Sequence, residues 1–256
     1  MNSPANWHLL STRPAALNAT LSNVVSKAGG TLIPLESMQI ETRLTDDTVA
    51  RLLSALRLSI VVFTSPTAVD VAAEILDLPG ALNRRVVLAT GAGTQKSLVN
   101  RGVRQAQAPE RMDSEGLLAL PALEAVDGIE IGLITGEGGR GVLQPALEAR
   151  GARVLRAAIY ARVPRDISAA EWDAVRHAPG RRILAVTGAE GFAHLLCQLP
   201  DDIDLADWGC VVASARLREM IATDAESPLR QAWRREPVLA RSAMPNDLVE
   251  AALTLI

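Results

Sequence analysis

Six short polar turns carry most of the residue types that could do chemistry in this chain. They are STRP at 11–14, TSPT at 64–67, TGAGT at 90–94, TGEGGR at 135–140, TGAEG at 187–191 and SAR at 214–216. Each follows an apolar run and leads into a helical pattern. A turn so placed presents the free N–H groups of a helix start, and its hydroxyls and arginines add further donors. That chemistry suits an anionic ligand with several charged arms. Tight strand-to-helix turns also favour Gly, Ser and Thr for conformational reasons alone. One such turn therefore carries little, and six of one character carry more.

Other chemistries find no support in the spacing. Gly91 and Gly93 stand alone, with no later glycine to complete a dinucleotide fingerprint, and TGAGTQKSL lacks the lysine spacing of a phosphate loop. His8, His177 and His194 have no cysteine or carboxylate at ligand spacing, so no metal site is expected. Ser65 and Ser214 have no evident His–Asp partners. The run Asp201, Asp202, Asp204, Asp207 lacks the remaining ligands of a calcium loop. Tyr160, the single tyrosine, lies in GARVLRAAIYARVPR at 151–165. Alternation puts it on one face with Val154 and Ala158, and puts Leu155, Ala157 and Ile159 on the other. On these grounds alone it reads as an aromatic packed on a strand.

The elements that must hold these turns alternate between strand and helix. Trp7–Ser11, Ile60–Phe63, Val86–Ala89, Ile129–Ile134, Ile183–Val186, Gly209–Ala213 and Pro237–Ala240 read as short buried strands. Helical spacing between them predicts repeated βα units, with Leu17, Leu21, Val24, Val25 and Ala28 on one face of the first helix and a helix over Ser114–Val126 cut or kinked at Pro121. Arg104–Ala106 is a candidate short strand. The segment 131–163 echoes 7–40, FTSPTAV is echoed by AVTGAEG, and VVLATGAGT by CVVASARL. The fold class is therefore α/β, with two small doubly wound parallel-sheet lobes joined by a two-stranded ladder. Residues 31–43 and 151–165 are expected to be the connecting strands. Residues 44–150 then form a middle lobe, and 1–30 fold with 166–256 as a terminal lobe. A cleft between such lobes is the default binding site.

Composition sets the outer limits. The chain has 256 residues, 48% of them apolar but only 3% aromatic, so its core is aliphatic. A net charge of −3 gives no reason to expect nucleic acid as a partner. No apolar run reaches membrane-spanning length. The first residues lack a secretion signal, so a cytoplasmic location and two buried reduced thiols, Cys197 and Cys210, are expected.

An ordered set of motifs resembles the uroporphyrinogen-III synthase family. It comprises TRP at 12–14, GG with a following P–L at 29–35, FTSPTAV at 63–69, ATGAGT at 89–94, SEGLL at 114–118, ITGEGGR at 134–140, the Tyr160 segment, VTGAEGFAHLL at 186–196 and VVASARL at 211–217. The resemblance spans nearly the whole chain. Two departures concern Gly188, where many relatives carry serine, and the SAR turn, which stands in place of a glycine–threonine turn.

The resemblance implies a cofactor-free cyclisation of hydroxymethylbilane, with inversion of the terminal pyrrole ring, to uroporphyrinogen III and water. It implies a linear tetrapyrrole substrate with eight carboxylates, a monomer, and transient contact with the upstream deaminase. Tyr160 becomes the candidate catalytic residue. Thr12, Arg13, Thr64, Ser65, Gly91, Thr94, Gly136, Arg140, Thr187, Gly188, Ser214 and Arg216 become the candidate substrate-binding residues, with the three arginines as ion-pair donors. A non-enzymatic two-lobed binder of a small anionic ligand is the alternative. Such proteins are usually exported or fused to a DNA-binding module, and neither feature is evident.

Overall fold

The computed structural model describes residues 7–111, 114–138, 141–223 and 233–256. The chain opens with β1 (Trp7–Ser11), α1 (Ala15–Lys27), β2 (Thr31–Pro34) and β3 (Met38–Thr42). It continues with α2 (Asp46–Leu56), β4 (Ile60–Phe63), α3 (Pro66–Ile75), α4 (Leu78–Ala81), β5 (Val86–Ala89), α5 (Ala92–Asn100), α6 (Ser114–Leu118), β6 (Glu130–Gly136) and α7 (Leu143–Glu148). After β7 (Arg153–Pro164) come α8 (Ala169–Arg176), β8 (Arg181–Val186), α9 (Ala189–Cys197), β9 (Gly209–Val212), α10 (Ala215–Thr223), β10 (Val238–Leu239) and α11 (Pro245–Leu253). The strands form two five-stranded sheets, ordered β10-β9-β8-β1-β2 and β3-β7-β6-β4-β5. The chain divides into two compact units, residues 1–39 with 163–256, and residues 40–162.

The internal echoes in the sequence match the sheet plans. In the first sheet β2, β1, β8 and β9 follow one another in parallel; in the second, β7, β6, β4 and β5 do the same. The echoed pairs, β1 with β6, β8 with β4 and β9 with β5, hold matching places. The outer edge of the second sheet carries a parallel bridge from Leu88 to Gln107. The bridge falls one residue beyond the short strand expected over Arg104–Ala106, where Arg104 and Gln105 form a turn instead.

Both faces of each sheet are buried, which explains the unbroken apolar strands. In 40–162, Val61, Phe63, Val87 and Ala89 point to one cluster, while Ile60, Val62 and Leu88 point to another. In the other unit Leu10, Leu184 and Val212 face one cluster, and Trp7, Leu9, Ile183 and Val211 the opposite one.

Some expectations change. The segment 31–43 is not one connecting strand. Residues 35–37 leave the extended ladder, so β2 pairs with β1 while β3 lies beside β7. The predicted helix over Ser114–Val126 ends at Leu118, and a 3₁₀ turn over Pro121–Leu123 follows, because proline cannot continue the hydrogen-bond ladder. Leu17 is exposed although its neighbours Leu21 and Val25 are buried. Cys197, at the end of α9, is exposed too. Cys210 is buried within β9, and burial pushes its thiol up to about 12.

The return of the chain into residues 163–256 is held by Arg165. Its backbone N–H donates to Ser37 O at 2.9 Å, its Nη1 donates to Glu36 O at 2.6 Å, and both terminal nitrogens donate to the Glu171 carboxylate at 3.0 Å. Glu171 also closes a capping box with Ser168 at the start of α8. Burial alone would raise the Glu171 pKa, but the bonds from Arg165 and Ser168 outweigh it and hold the carboxyl below its usual value. A depressed carboxylate stabilises the folded state above its unfolded pKa, and that stabilisation is lost as pH falls through the folded pKa. Glu171→Gln preserves the cap geometry and removes the charge. Chemical denaturation should show it about 1 kcal/mol less stable than the parent near neutral pH. That gap should shrink as pH falls below about 4.3.

Candidate functional site

Parallel pairing brings the C-terminal ends of β4, β5 and β6 to one side of the sheet in 40–162, and β7 borders β6 there. Hydroxyls bridge these ends laterally. Thr64 Oγ1 donates to Thr135 Oγ1 at 2.8 Å, and Thr90 Oγ1 donates to Thr64 O at 2.9 Å. Above them lies a cavity of about 800 Å³, within the range that holds a small ligand. Its lining includes Thr64, Ser65, Gly91, Thr94, Gly136 and Tyr160.

The position of Tyr160 departs from simple alternation. β6 and β7 stay in register from Glu130↔Arg153 to Thr135↔Ala158, and then Gly136 aligns with Tyr160. β7 carries one extra residue at this bulge, which reverses the facing of everything beyond it. Tyr160 therefore packs in the cluster of Leu155, Ala157 and Ile159, not on the face of Val154 and Ala158 as the alternation implied. Its ring covers Gly136, where an added Cβ would sit 2.6 Å from Tyr160 Cζ. Its hydroxyl lies 2.9 Å from Ser65 Oγ. Ser65 in turn caps α3, its Oγ accepting from Ala68 N–H at 3.0 Å, with Pro66 in the first helical position. The loop beyond β6 is tied back by Glu137 N–H donating to Tyr160 O at 2.7 Å.

Apart from Arg140, the remaining candidates belong to the other unit. Thr12 and Arg13 follow β1, Thr187 and Gly188 follow β8, and Ser214 and Arg216 follow the end of β9, three strands adjacent in their sheet. Thr12 is buried and Arg13 half-buried. Arg13 Nη1 donates to Ala243 O at 3.1 Å, and burial pulls the guanidinium's pKa down. Gly188 is the N-cap of α9, and Ser214 Oγ accepts from Leu217 N–H at 3.3 Å. Arg216 is exposed. Arg140 lies outside the described residues.

Several groups at the cavity escaped the sequence reading. Thr90 and Thr135 open the TGAGT and TGEGGR turns, one residue ahead of the glycines that carry the turn signal. Arg156, whose Nη2 donates to Gly136 O at 3.1 Å, lies on β7 and not in a turn, so the turn motif does not point to it. Arg162 and Glu137 also line the cavity, and Glu137 pairs with Arg43 at 3.5 Å. Their signal was spacing along β7: Arg156 and Arg162 flank Tyr160 on the same segment. Among the described residues no three His, Cys, Asp or Glu side chains are placed to hold a metal.

A direct test of the ring's seat is Gly136→Ala. The added methyl must push the Tyr160 ring off β6. Denaturation should report a loss of about 1–3 kcal/mol, and tyrosine fluorescence should change because the chain has one tyrosine. Unchanged stability together with unchanged tyrosine emission would mean the ring does not rest there.

A comparison with curated proteins finds no match. Among solved structures, uroporphyrinogen-III synthetase from Helicobacter pylori is 13% identical with a TM-score of 0.65, over 97% of this chain and 99% of that one. A mutant uroporphyrinogen III synthase from Thermus thermophilus is 16% identical with a TM-score of 0.60, over 96% and 97%. At these identities the likeness establishes the two-unit α/β fold. The family model described as uroporphyrinogen-III synthase HemD matches residues 19–232. The chain thus belongs to the uroporphyrinogen-III synthase family, and its reaction is the cyclisation of hydroxymethylbilane to uroporphyrinogen III in haem biosynthesis.

Proposed function

We propose that the cavity of residues 40–162 takes the reacting end of hydroxymethylbilane and that Tyr160 donates the proton with which its hydroxyl leaves. The observation that carries this reading is the place of the only tyrosine. Its ring rests on Gly136, and its hydroxyl lies 2.9 Å from Ser65 Oγ at the edge of a cavity of about 800 Å³.

The steps then balance as follows. The pyrrole nitrogen lone pair expels the hydroxyl, the C–O bond breaks, and water departs with the Tyr160 proton, leaving a phenolate and a cationic azafulvene. The terminal pyrrole attacks through its substituted carbon and forms a spiro intermediate. One bond to the spiro carbon breaks, and the ring recloses with its orientation inverted. The proton released when the last ring regains aromaticity returns to the phenolate. Unassisted closure gives the type I isomer, so the protein's main task is to keep the substituted carbon nearer than the free one.

The polar turns in each unit supply carboxylate partners in this account. In 40–162 these are Thr64, Gly91, Thr94, Gly136 and Arg140, and in the other unit Thr12, Arg13, Thr187, Gly188, Ser214 and Arg216. Neutral N–H and O–H donors hold carboxylates without a large fixed positive charge. Half-buried Arg13 forms no ion pair among the described residues, which leaves its charge available to a substrate carboxylate. We further place the chain in the cytoplasm as a monomer that meets the upstream deaminase transiently. Rapid hand-over suits a substrate that closes wrongly when left free. No helix of the described residues is long and apolar enough to cross a membrane.

Tyr160→Phe tests the catalytic assignment. With hydroxymethylbilane generated in situ and the oxidised products separated by isomer, type III formation should fall roughly 10- to 100-fold while type I rises. An unchanged rate and isomer ratio would remove Tyr160 from the chemistry.

A further inference from the structure

Ser65 is more than a wall of the cavity. Its Oγ accepts from Ala68 N–H at 3.0 Å and lies 2.9 Å from Tyr160 Oη. A serine hydroxyl has one proton and two acceptor sites. The helix cap occupies one acceptor site and fixes where the other site and the proton can point. Two arrangements remain. In one, Tyr160 donates to Ser65, and the phenol proton is spent inside the protein. In the other, Ser65 donates to Tyr160, and the phenol proton faces outward.

We propose that Ser65 is a positioning residue that acts through Tyr160, an inference that rests on the proton-donor role given to Tyr160 above. The bonds then run in one direction: Ala68 N–H to Ser65 Oγ, Ser65 O–H to Tyr160 Oη, and Tyr160 O–H to the departing hydroxyl. Each donor in such a chain polarises the next. When the C–O bond breaks and the Tyr160 proton leaves with water, Ser65 O–H stays donated to the phenolate and stabilises its charge. When the product ring returns a proton to Tyr160, the chain is restored. The α3 cap serves catalysis by fixing the Ser65 lone pair and hence the direction of its proton. With its proton committed in this way, the Ser65 hydroxyl is not a donor for a substrate carboxylate, in contrast to the role expected of it from the turn motif.

The test is a double-mutant cycle on type III formation, with melting temperature measured for each variant. Ser65→Ala removes both bonds and should lower type III formation about tenfold. Ser65→Thr keeps an N-cap and a hydroxyl and should restore most of it, which separates the effect from a folding defect. In a Tyr160→Phe background, Ser65→Ala should add almost nothing, because Ser65 has no remaining route to the substrate. Multiplicative losses in the double variant would show that Ser65 touches the substrate independently and would overturn the proposal. So would a full-activity Ser65→Ala beside an impaired Tyr160→Phe, which leaves the Tyr160 role intact. A fully active Tyr160→Phe would overturn both readings together.

Discussion

The ring of Tyr160 and a side chain at position 136 cannot occupy the same space, and the cavity end of residues 40–162 is arranged around that exclusion. Gly136 ends β6 without a Cβ, and the ring fills the space one would take. The extra residue in β7 supplies the second condition. It turns Tyr160 onto the face of Ala157, so that the ring lies across the strand end and its hydroxyl meets the start of α3 at Ser65. The fit at Gly136 and the bulge answer one need: to hold a phenol rigidly at the open end of a parallel sheet.

Other features make that end rigid and polar. Thr90, Thr64 and Thr135 connect three strand ends through hydroxyls at the floor of the cavity. Arg156 holds Gly136 O from the β7 side. In the other unit, Arg165 performs a different task. Its bonds to Glu36, Ser37 and Glu171 set the path of the chain as it leaves β7 and enters α8. The fixed parts are therefore local to each unit.

Much of the fold was legible because buried parallel strands are apolar on both faces and their turns must be small. IVVF at 60–63, all apolar and followed at once by the TSPT turn, allows little else. Internal echoes in the sequence even matched the order of the strands. The site was legible in its turns and illegible in its strands. Thr64, Ser65, Gly91, Thr94 and Gly136 came from the turn motif, and the structure gathers them at one cavity with Tyr160. Arg156 escaped because an arginine on a strand resembles any solvated residue. The facing of Tyr160 was misread because period-two counting assumes an unbroken register. A bulge has no reliable signature in RAAIYARV, where alanines fit either face. The break between β2 and β3 was hidden likewise, since Leu35–Ser37 contains nothing that forbids extended structure.

The central claim is that the Tyr160 hydroxyl meets the tetrapyrrole. Because the chain contains one tyrosine, tyrosine labelled with carbon-13 at Cζ gives a single resonance that reports on this hydroxyl alone. Uroporphyrinogen III, titrated anaerobically while calorimetry follows saturation, should shift that resonance in step with binding. A resonance unmoved at saturation would contradict the account.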